Sequence, residues 1–158
     1  ERPRLDKSLH QMLSNVVKMR ALIVPASKET RIQKSLFEAI QTVSRNMVCT
    51  LELQLNAHWA TRESHFVMIK AHTLRDTQQM TQNTLQAISN ALYTGNPSPV
   101  TANSAHLTEI IDELRQIMHH EGESPVQETS IHGYVWLSLE LARQLELLST
   151  LISRALRK

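Results

Sequence analysis

Apolar residues recur at helical spacing along one long stretch, residues 27–61. Steps of three or four residues separate its main apolar positions, which are Ile32, Leu36, Ile40, Val43, Met47, Leu51 and Leu55. This is the spacing of one face of an α-helix, and no Gly or Pro interrupts it. At about 1.5 Å per residue, a helix of this length would extend about 50 Å. The pattern therefore predicts a long helix, which we call the spine helix, around which a helical bundle is built.

Four further helices follow from the same kind of spacing. The first begins near Pro3 and ends at Pro25, because proline lacks an N–H group and disfavours helix at the residue before it. The spine helix is expected to break or bend at residues 61–64, where polar residues cluster. The third helix then covers residues 65–93, with Gly95 as its C-cap.

Polar residues dominate the middle of the third helix, at residues 75–83. We expect this segment to lie at an edge of the bundle or to face a polar cavity. The fourth helix begins at Asn103 or Ser104 and ends at Gly122, which is followed by a polar loop that contains Pro125.

The fifth helix begins at Gly133 or Tyr134 and continues to the end of the chain. Its apolar face is wide, which is typical of a helix buried on more than one side, so we expect it to pack along the spine helix. Mostly short connections favour antiparallel neighbours. The predicted fold class is all-α, an antiparallel bundle of about five helices with one long spine helix, in a single domain over residues 1–158.

The amino-acid composition supports this fold class and indicates the kind of cellular compartment in which the chain lies. Only three of the 158 residues are Gly, which disfavours a loop-rich or all-β fold. The longest unbroken apolar runs have four residues, whereas a membrane span needs about 20, so we expect no span in this chain. The chain opens on Glu1 rather than Met, and we expect it to be a fragment of a larger protein. Cys49 alone cannot form an internal disulfide, which fits a reducing compartment.

Basic residues are concentrated at both ends of the chain. The first 34 residues hold eight Lys or Arg against three acidic residues, and the last nine hold three Lys or Arg and no acid. One interpretation is a pair of solvated termini; the other is that both ends approach one anionic surface, such as the inner leaflet of a membrane. The membrane-proximal candidates are Arg2, Arg4, Lys7, Arg154, Arg157 and Lys158. Nucleic acid is not expected as a partner, because a basic stripe with interleaved aromatics is missing.

Motifs for catalysis and metal binding are missing from the sequence. Eight histidines are present, but no Glu-x-x-His pair of the kind that places a carboxylate and an imidazole on one helix face of a di-iron bundle. Surface positions explain His58, His65 and His72 best, and the alternative is a composite metal site formed by the three. The chain has no Gly-rich phosphate loop and no Cys pair. We therefore predict a non-catalytic protein without a metal or cofactor.

One cluster of residues invites a ligand hypothesis. It lies where the spine helix meets the third helix and consists of His58, Trp59, Arg62 and His65. Trp59 continues the apolar face of the spine helix after Leu55, so a core position for its ring is the alternative. A core position explains Trp59 better, and the candidate alternative is that the cluster contacts a ligand, such as an anionic aromatic molecule lying between the second and third helices.

Five segments of the sequence resemble known proteins: residues 21–32, 44–62, 74–78, 133–137 and 144–149. Together they resemble the C-terminal cytosolic region of inner-membrane proteins of the fusaric-acid-resistance-like (aromatic acid exporter) family. The resemblance extends over nearly the whole chain. It rests on extended strings rather than on a catalytic signature, so no substrate-binding residue carries over.

The resemblance implies that this chain is the cytosolic part of a membrane exporter of aromatic acids and related compounds. It would lie on the cytoplasmic side of the bacterial inner membrane, where it would support subunit association or gate access to the pore. The expected partners are the protein's own transmembrane domain, the nearby inner leaflet and further copies in a homo-oligomer. The alternative, from a different class, is a helical bundle that binds or senses a small anionic aromatic molecule.

Overall fold

The computed structural model describes residues 2–56, 64–121 and 129–157. These residues form five α-helices, and the described ranges contain no strand. The helices are α1 (Arg2–Thr30), α2 (Lys34–Leu55), α3 (Ser64–Thr94), α4 (Ser98–Glu121) and α5 (Thr129–Leu156). The predicted all-α fold of about five helices is confirmed.

The spine helix is shorter than its apolar pattern predicts. α2 begins at Lys34 and ends at Leu55, and its 22 residues make it the shortest of the described helices. Residues 27–30, which were expected to open the spine helix, belong to α1. The prediction of one helix over residues 27–61 is therefore wrong at its N-terminal end, and residues 57–63 lie outside the described ranges.

The prediction that the first helix ends at Pro25 is also wrong, because Pro25 lies inside α1. A proline in a helix removes the hydrogen bond to the carbonyl four residues earlier, which here belongs to Ala21. Ala21 and Pro25 are both exposed, so water can hydrate the freed carbonyl. Ile23 and Ala26 are buried on either side of the proline. The burial of these two side chains stabilises the helical conformation on both sides of the proline.

α1 ends instead in a Schellman motif. Arg31 adopts a left-handed backbone conformation with φ of 53°, and the Ile32 N–H donates to the Ser27 carbonyl at 3.2 Å. Glycine usually occupies this position, which is why the sequence pattern did not indicate the turn. At the end of α3 the usual residue is present: Gly95 has φ of 74°, and its N–H donates to the Ala91 carbonyl at 2.8 Å. Gly95 is thus confirmed as the C-cap glycine.

Helices α4 and α5 both begin earlier than the sequence pattern predicts. α4 begins at Ser98 rather than at Asn103 or Ser104. Its first turn tolerates Pro99 because the N–H groups of a first turn have no partner within the helix. The Ser98 N–H is bonded to Oδ1 of Asn96 at 3.0 Å. α5 begins at Thr129, four residues before Gly133.

The five helices form a four-helix bundle with one helix added to a groove. α1, α2, α5 and α3 contact one another in that order around a ring, and α4 packs against both α3 and α5. The contact between α2 and α5 is the most extensive of the helix pairs. The prediction that the fifth helix packs along the second is therefore confirmed.

Helix directions follow from a few cross-helix contacts. Asn15 of α1 donates a hydrogen bond from Nδ2 to Oε1 of Gln82 in α3, and the C-terminal ends of the same helices meet where Thr30 lies next to Gly95. α1 and α3 therefore run parallel. α2 runs antiparallel to α1 across the short turn and antiparallel to α5, so α5 also runs parallel to α3. Successive helices run in opposite directions, while α1 and α3, and α3 and α5, are parallel pairs that pack together.

The most buried helix is α5. Eight of its hydrophobic side chains lie in the core, more than any other helix contributes within the described residues: Val135, Leu139, Leu141, Ala142, Leu145, Leu148, Ile152 and Leu156. This burial fits its wide apolar face and its contacts with three other helices. The bundle is thus organised around α5 rather than around α2.

Candidate functional sites

The predicted ligand cluster falls mostly outside the part of the chain that the structure describes. His58, Trp59 and Arg62 belong to residues 57–63, which lie between α2 and α3. His65 belongs to the first turn of α3. The contact of this cluster with a ligand stays a prediction.

The two groups of predicted membrane-proximal residues lie at opposite ends of the bundle. Arg2, Arg4 and Lys7 belong to the first two turns of α1, whereas Arg154 and Arg157 lie at the C-terminal end of α5. Because α1 and α5 run parallel, their starts lie at one end and their ends at the other. Lys158 lies outside the described residues. A flat membrane surface across one end of the bundle would therefore meet one of the two groups and not the other.

The polar middle of α3 faces an open cleft of about 530 Å³ between α1 and α3. This agrees with the expectation that residues 75–83 lie at an edge or face a polar cavity. The cleft is lined by Ser8, Gln11, Asn15, Arg75, Gln78, Gln79, Gln82, Asn83 and Gln86. We call it the amide cleft, since seven of these side chains are carboxamides.

Carboxamides of the amide cleft bond to one another. Asn15 and Gln82 join α1 to α3, and Gln79 donates from Nε2 to Oδ1 of Asn83 at 3.0 Å within α3. Neutral amides both donate and accept hydrogen bonds, so such a surface suits an uncharged polar group.

A second cleft, of about 230 Å³, lies between the N-terminal half of α4 and the C-terminal half of α5. We call it the hydroxyl cleft. Its lining residues are Val100, Thr101, Ser104, Leu107 and Thr108 from α4, and Glu146, Ser149, Thr150, Ser153, Arg154 and Arg157 from α5. Steps of three and four residues separate most of these positions, so each set forms one helix face. Two antiparallel helices thus place six hydroxyl groups and two guanidinium groups around one space.

Four of the six hydroxyl groups that line the hydroxyl cleft form hydrogen bonds within their own helices. Thr101, Ser104, Thr108 and Thr150 donate to backbone carbonyls of their own helices, at 2.9–3.3 Å. Ser149 is 7% exposed, and its Oγ is a buried atom without a hydrogen-bond partner. A buried polar group without a partner is uncommon in folded proteins. The Ser149 hydroxyl therefore makes this cleft a candidate ligand-binding site.

The sequence pattern did not indicate the hydroxyl cleft. Ser149 and Ser153 on α5 look like the ordinary polar flank of an apolar face, and Ser and Thr on α4 look like helix surface. A signal was present in the spacing, since Ser149, Ser153 and Arg157 recur every four residues. It could not be interpreted before the face of α4 opposite to it was known.

Metal binding finds no support in the part of the chain that the structure describes, where no group of three His, Cys, Asp or Glu side chains is arranged to hold an ion. His72 belongs to α3, but its proposed partner His58 lies outside the described residues. The composite histidine site stays an untested alternative.

The described helices form an all-α bundle. None of these helices is long and apolar enough to cross a membrane. The chain is similar to the inner membrane protein YeeA of Escherichia coli, with 59% identity over all 158 residues. The chain spans about 45% of the length of that relative. No protein-family model matches the chain, and no solved structure matches it. The chain is thus YeeA-like, in agreement with part of the predicted resemblance.

Proposed function

We propose that this chain is the non-spanning helical domain of an inner-membrane protein and that it lies on the cytoplasmic side of the membrane. The observation that supports this proposal is the 59% identity over the whole chain to a protein named as an inner membrane protein. The described helices offer no membrane span, so the membrane would be crossed by another part of the parent protein. The basic first turns of α1 suit a position next to the cytoplasmic leaflet.

The finer proposal is that the parent protein exports aromatic acids or related compounds. This rests on the sequence resemblance to the aromatic acid exporter family. The domain itself is non-catalytic in this proposal, needs no cofactor, and supports association of subunits or gates access to the pore.

Exposed apolar side chains support a role in association. Val17 and Val24 are seven residues apart on α1 and are 55% and 41% exposed. Trp136 and Leu147 are eleven residues apart on α5 and are about half exposed. Both spacings correspond to one helix face, so each helix presents a small apolar surface to solvent. Light scattering on the 158-residue chain should detect oligomers. The double variant Trp136→Ser, Leu147→Ser should reduce the oligomeric fraction. A chain that is monomeric at every concentration would contradict association through this domain.

Cell fractionation tests the membrane assignment. The complete gene product, carrying a tag, should appear in the inner-membrane fraction and should be released by detergent but not by high salt. The matched control is the 158-residue chain with the same tag, expressed alone. Recovery of the complete product in the soluble fraction would refute the proposal.

The side of the membrane can be tested with Cys49, which is exposed on α2. A membrane-impermeant thiol reagent should label Cys49 only after spheroplasts are lysed, with Cys49→Ser as the control for other thiols. Labelling in intact spheroplasts would place the domain on the periplasmic side instead.

The alternative function, binding of a small anionic aromatic molecule near Trp59, Arg62 and His65, rests on sequence alone. Trp fluorescence can test it because the chain has only two Trp residues, and Trp136→Phe leaves Trp59 as the single reporter. Aromatic acids should then change the emission in a saturable manner that Arg62→Gln weakens. Unchanged emission up to millimolar ligand would argue against this function.

A further inference from the structure

The hydroxyl cleft combines a buried polar atom, for which the described residues offer no partner, with positive charge. The unsatisfied atom is Ser149 Oγ, which is buried at the cleft without a hydrogen-bond partner. The positive charge comes from Arg154 and Arg157, which line the cleft, are exposed, and form no ion pair among the described residues. Arginine presents its donors in a planar fork that matches the oxygens of phosphate and carboxylate groups.

Further positive potential comes from α4. The cleft lies beside the first three turns of this 24-residue helix, and the N-terminal end of a helix carries a partial positive charge. The amides of the first turn do not provide free donors, since the Val100 and Thr101 N–H groups both bond to the Pro97 carbonyl, at 3.1 and 3.2 Å. The donors available to a ligand are therefore side chains, namely the two guanidinium groups and the Ser149 hydroxyl, since four of the other hydroxyls already donate within their own helices.

One acidic side chain also lines the cleft. Glu146 lies eight residues before Arg154 on α5, which is about 12 Å along a helix axis. It is exposed. The lining therefore carries two arginines against one glutamate, so the end of the cleft formed by Arg154 and Arg157 keeps a net positive charge.

We propose that the arginine end of the hydroxyl cleft binds a small phosphate-bearing ligand, with Arg154 and Arg157 holding the phosphate oxygens and Ser149 Oγ donating to one of them. Two guanidinium groups and the Ser149 hydroxyl offer more donors than the two oxygens of a carboxylate can accept, whereas a terminal phosphate has three free oxygens and up to two negative charges. The apolar side chains of Val100 and Leu107 also line the cleft, where they could contact an apolar part of the ligand. A free phosphate compound and a phospholipid headgroup share this chemistry.

Titration of the 158-residue chain with inorganic phosphate, at constant ionic strength set with chloride, tests the proposal. Calorimetry or NMR should show saturable binding. The double variant Arg154→Gln, Arg157→Gln should weaken it by at least about tenfold, because charge-assisted hydrogen bonds are lost. Ser149→Ala should weaken binding several-fold, and Glu146→Gln should strengthen it because a nearby negative charge is removed. Arg143→Gln is the matched control, since Arg143 is an exposed arginine on α5 outside the cleft.

The source of the phosphate is tested with vesicles in parallel. Phosphatidylcholine vesicles that contain phosphatidic acid are compared with pure phosphatidylcholine vesicles in a flotation assay. Arginine-dependent binding of free phosphate alone indicates a soluble ligand, and arginine-dependent binding to the phosphatidic acid vesicles alone indicates a lipid headgroup. The proposal is overturned if neither probe binds, or if the double arginine variant binds both probes as well as Arg143→Gln does. Failure here leaves the membrane assignment intact, since that assignment is tested by fractionation.

Discussion

Gln54 of α2 donates a hydrogen bond from Nε2 to Oγ of Ser138 in α5 at 2.8 Å, and both side chains are buried. The bond joins the last turn of α2 to the N-terminal half of α5, which fixes the antiparallel register of the two most extensively packed helices. A one-turn slip between the helices would separate the pair and leave both polar groups in the core, where an unmade hydrogen bond is costly.

We expect Ser138→Ala to lower the free energy of unfolding by about 1–2 kcal/mol, because the buried Gln54 amide loses this acceptor. Urea unfolding followed by circular dichroism measures the change. The control is Ser14→Ala at an exposed position of α1, which should change stability by less than about 0.5 kcal/mol. Equal unfolding midpoints for the two variants would mean that the bond to Ser138 does not stabilise the bundle.

Adjacent leucines on α5 provide a direct test of its central position. Leu148 is fully buried, whereas Leu147 is 50% exposed. Leu148→Ala should lower the free energy of unfolding by about 2–5 kcal/mol, since it removes buried apolar surface and leaves a cavity. Leu147→Ala should cost less than about 1 kcal/mol. Similar losses at the two positions would contradict the orientation of α5 in the bundle.

The turn between α1 and α2 holds Arg31 in the left-handed region, a conformation that costs most residues about 1 kcal/mol relative to glycine. Arg31→Gly should therefore raise the free energy of unfolding, by up to about 1 kcal/mol. Arg45→Gly, inside α2 at an exposed position, should lower it by about 1 kcal/mol, because glycine weakens a helix interior. Calorimetric melting temperatures that fall in both variants would argue against the Schellman turn.

Ser149 should behave in the opposite way to Ser138 when no ligand is present. Its buried hydroxyl makes no hydrogen bond, so Ser149→Ala removes an unsatisfied polar group and should leave the free energy of unfolding unchanged or raise it by up to about 1 kcal/mol. Urea unfolding in phosphate-free buffer gives the measurement. A loss as large as that of Ser138→Ala would show that Ser149 makes a stabilising bond within the bundle.

Residues on α1 illustrate where local patterns mislead. Pro25 normally terminates a helix, and Arg31 carries no sign of a turn, yet α1 passes the first and ends at the second. Burial of Ile23 and Ala26 against the rest of the bundle outweighs the loss of one hydrogen bond at Pro25. The packing of the following helix then requires a reversal at Arg31. Neither effect is visible in the residues near the boundary.

Of the two clefts, the amide cleft was expected from the sequence and the hydroxyl cleft was not. The polar segment at residues 75–83 was expected to lie at an edge of the bundle or to face a polar cavity, and it lines the amide cleft. The hydroxyl cleft could not be predicted, because Ser104 and Ser149 are 45 residues apart in sequence and meet only through the packing of α4 on α5. A ligand site between helices depends on which faces meet, and helical periodicity alone leaves that choice open.

The sequence by itself determined the all-α fold, the presence of about five helices, the wide apolar face of α5 and the pairing of α5 with α2. These features are local, since a face repeats every three to four residues and its width reports how far the helix is buried. The tertiary structure alone decided that α5 and not α2 is the central helix, that α1 runs parallel to α3, and that the basic ends lie at opposite ends of the bundle. Such features depend on the free energy of packing distant faces together, which no single stretch of the chain contains.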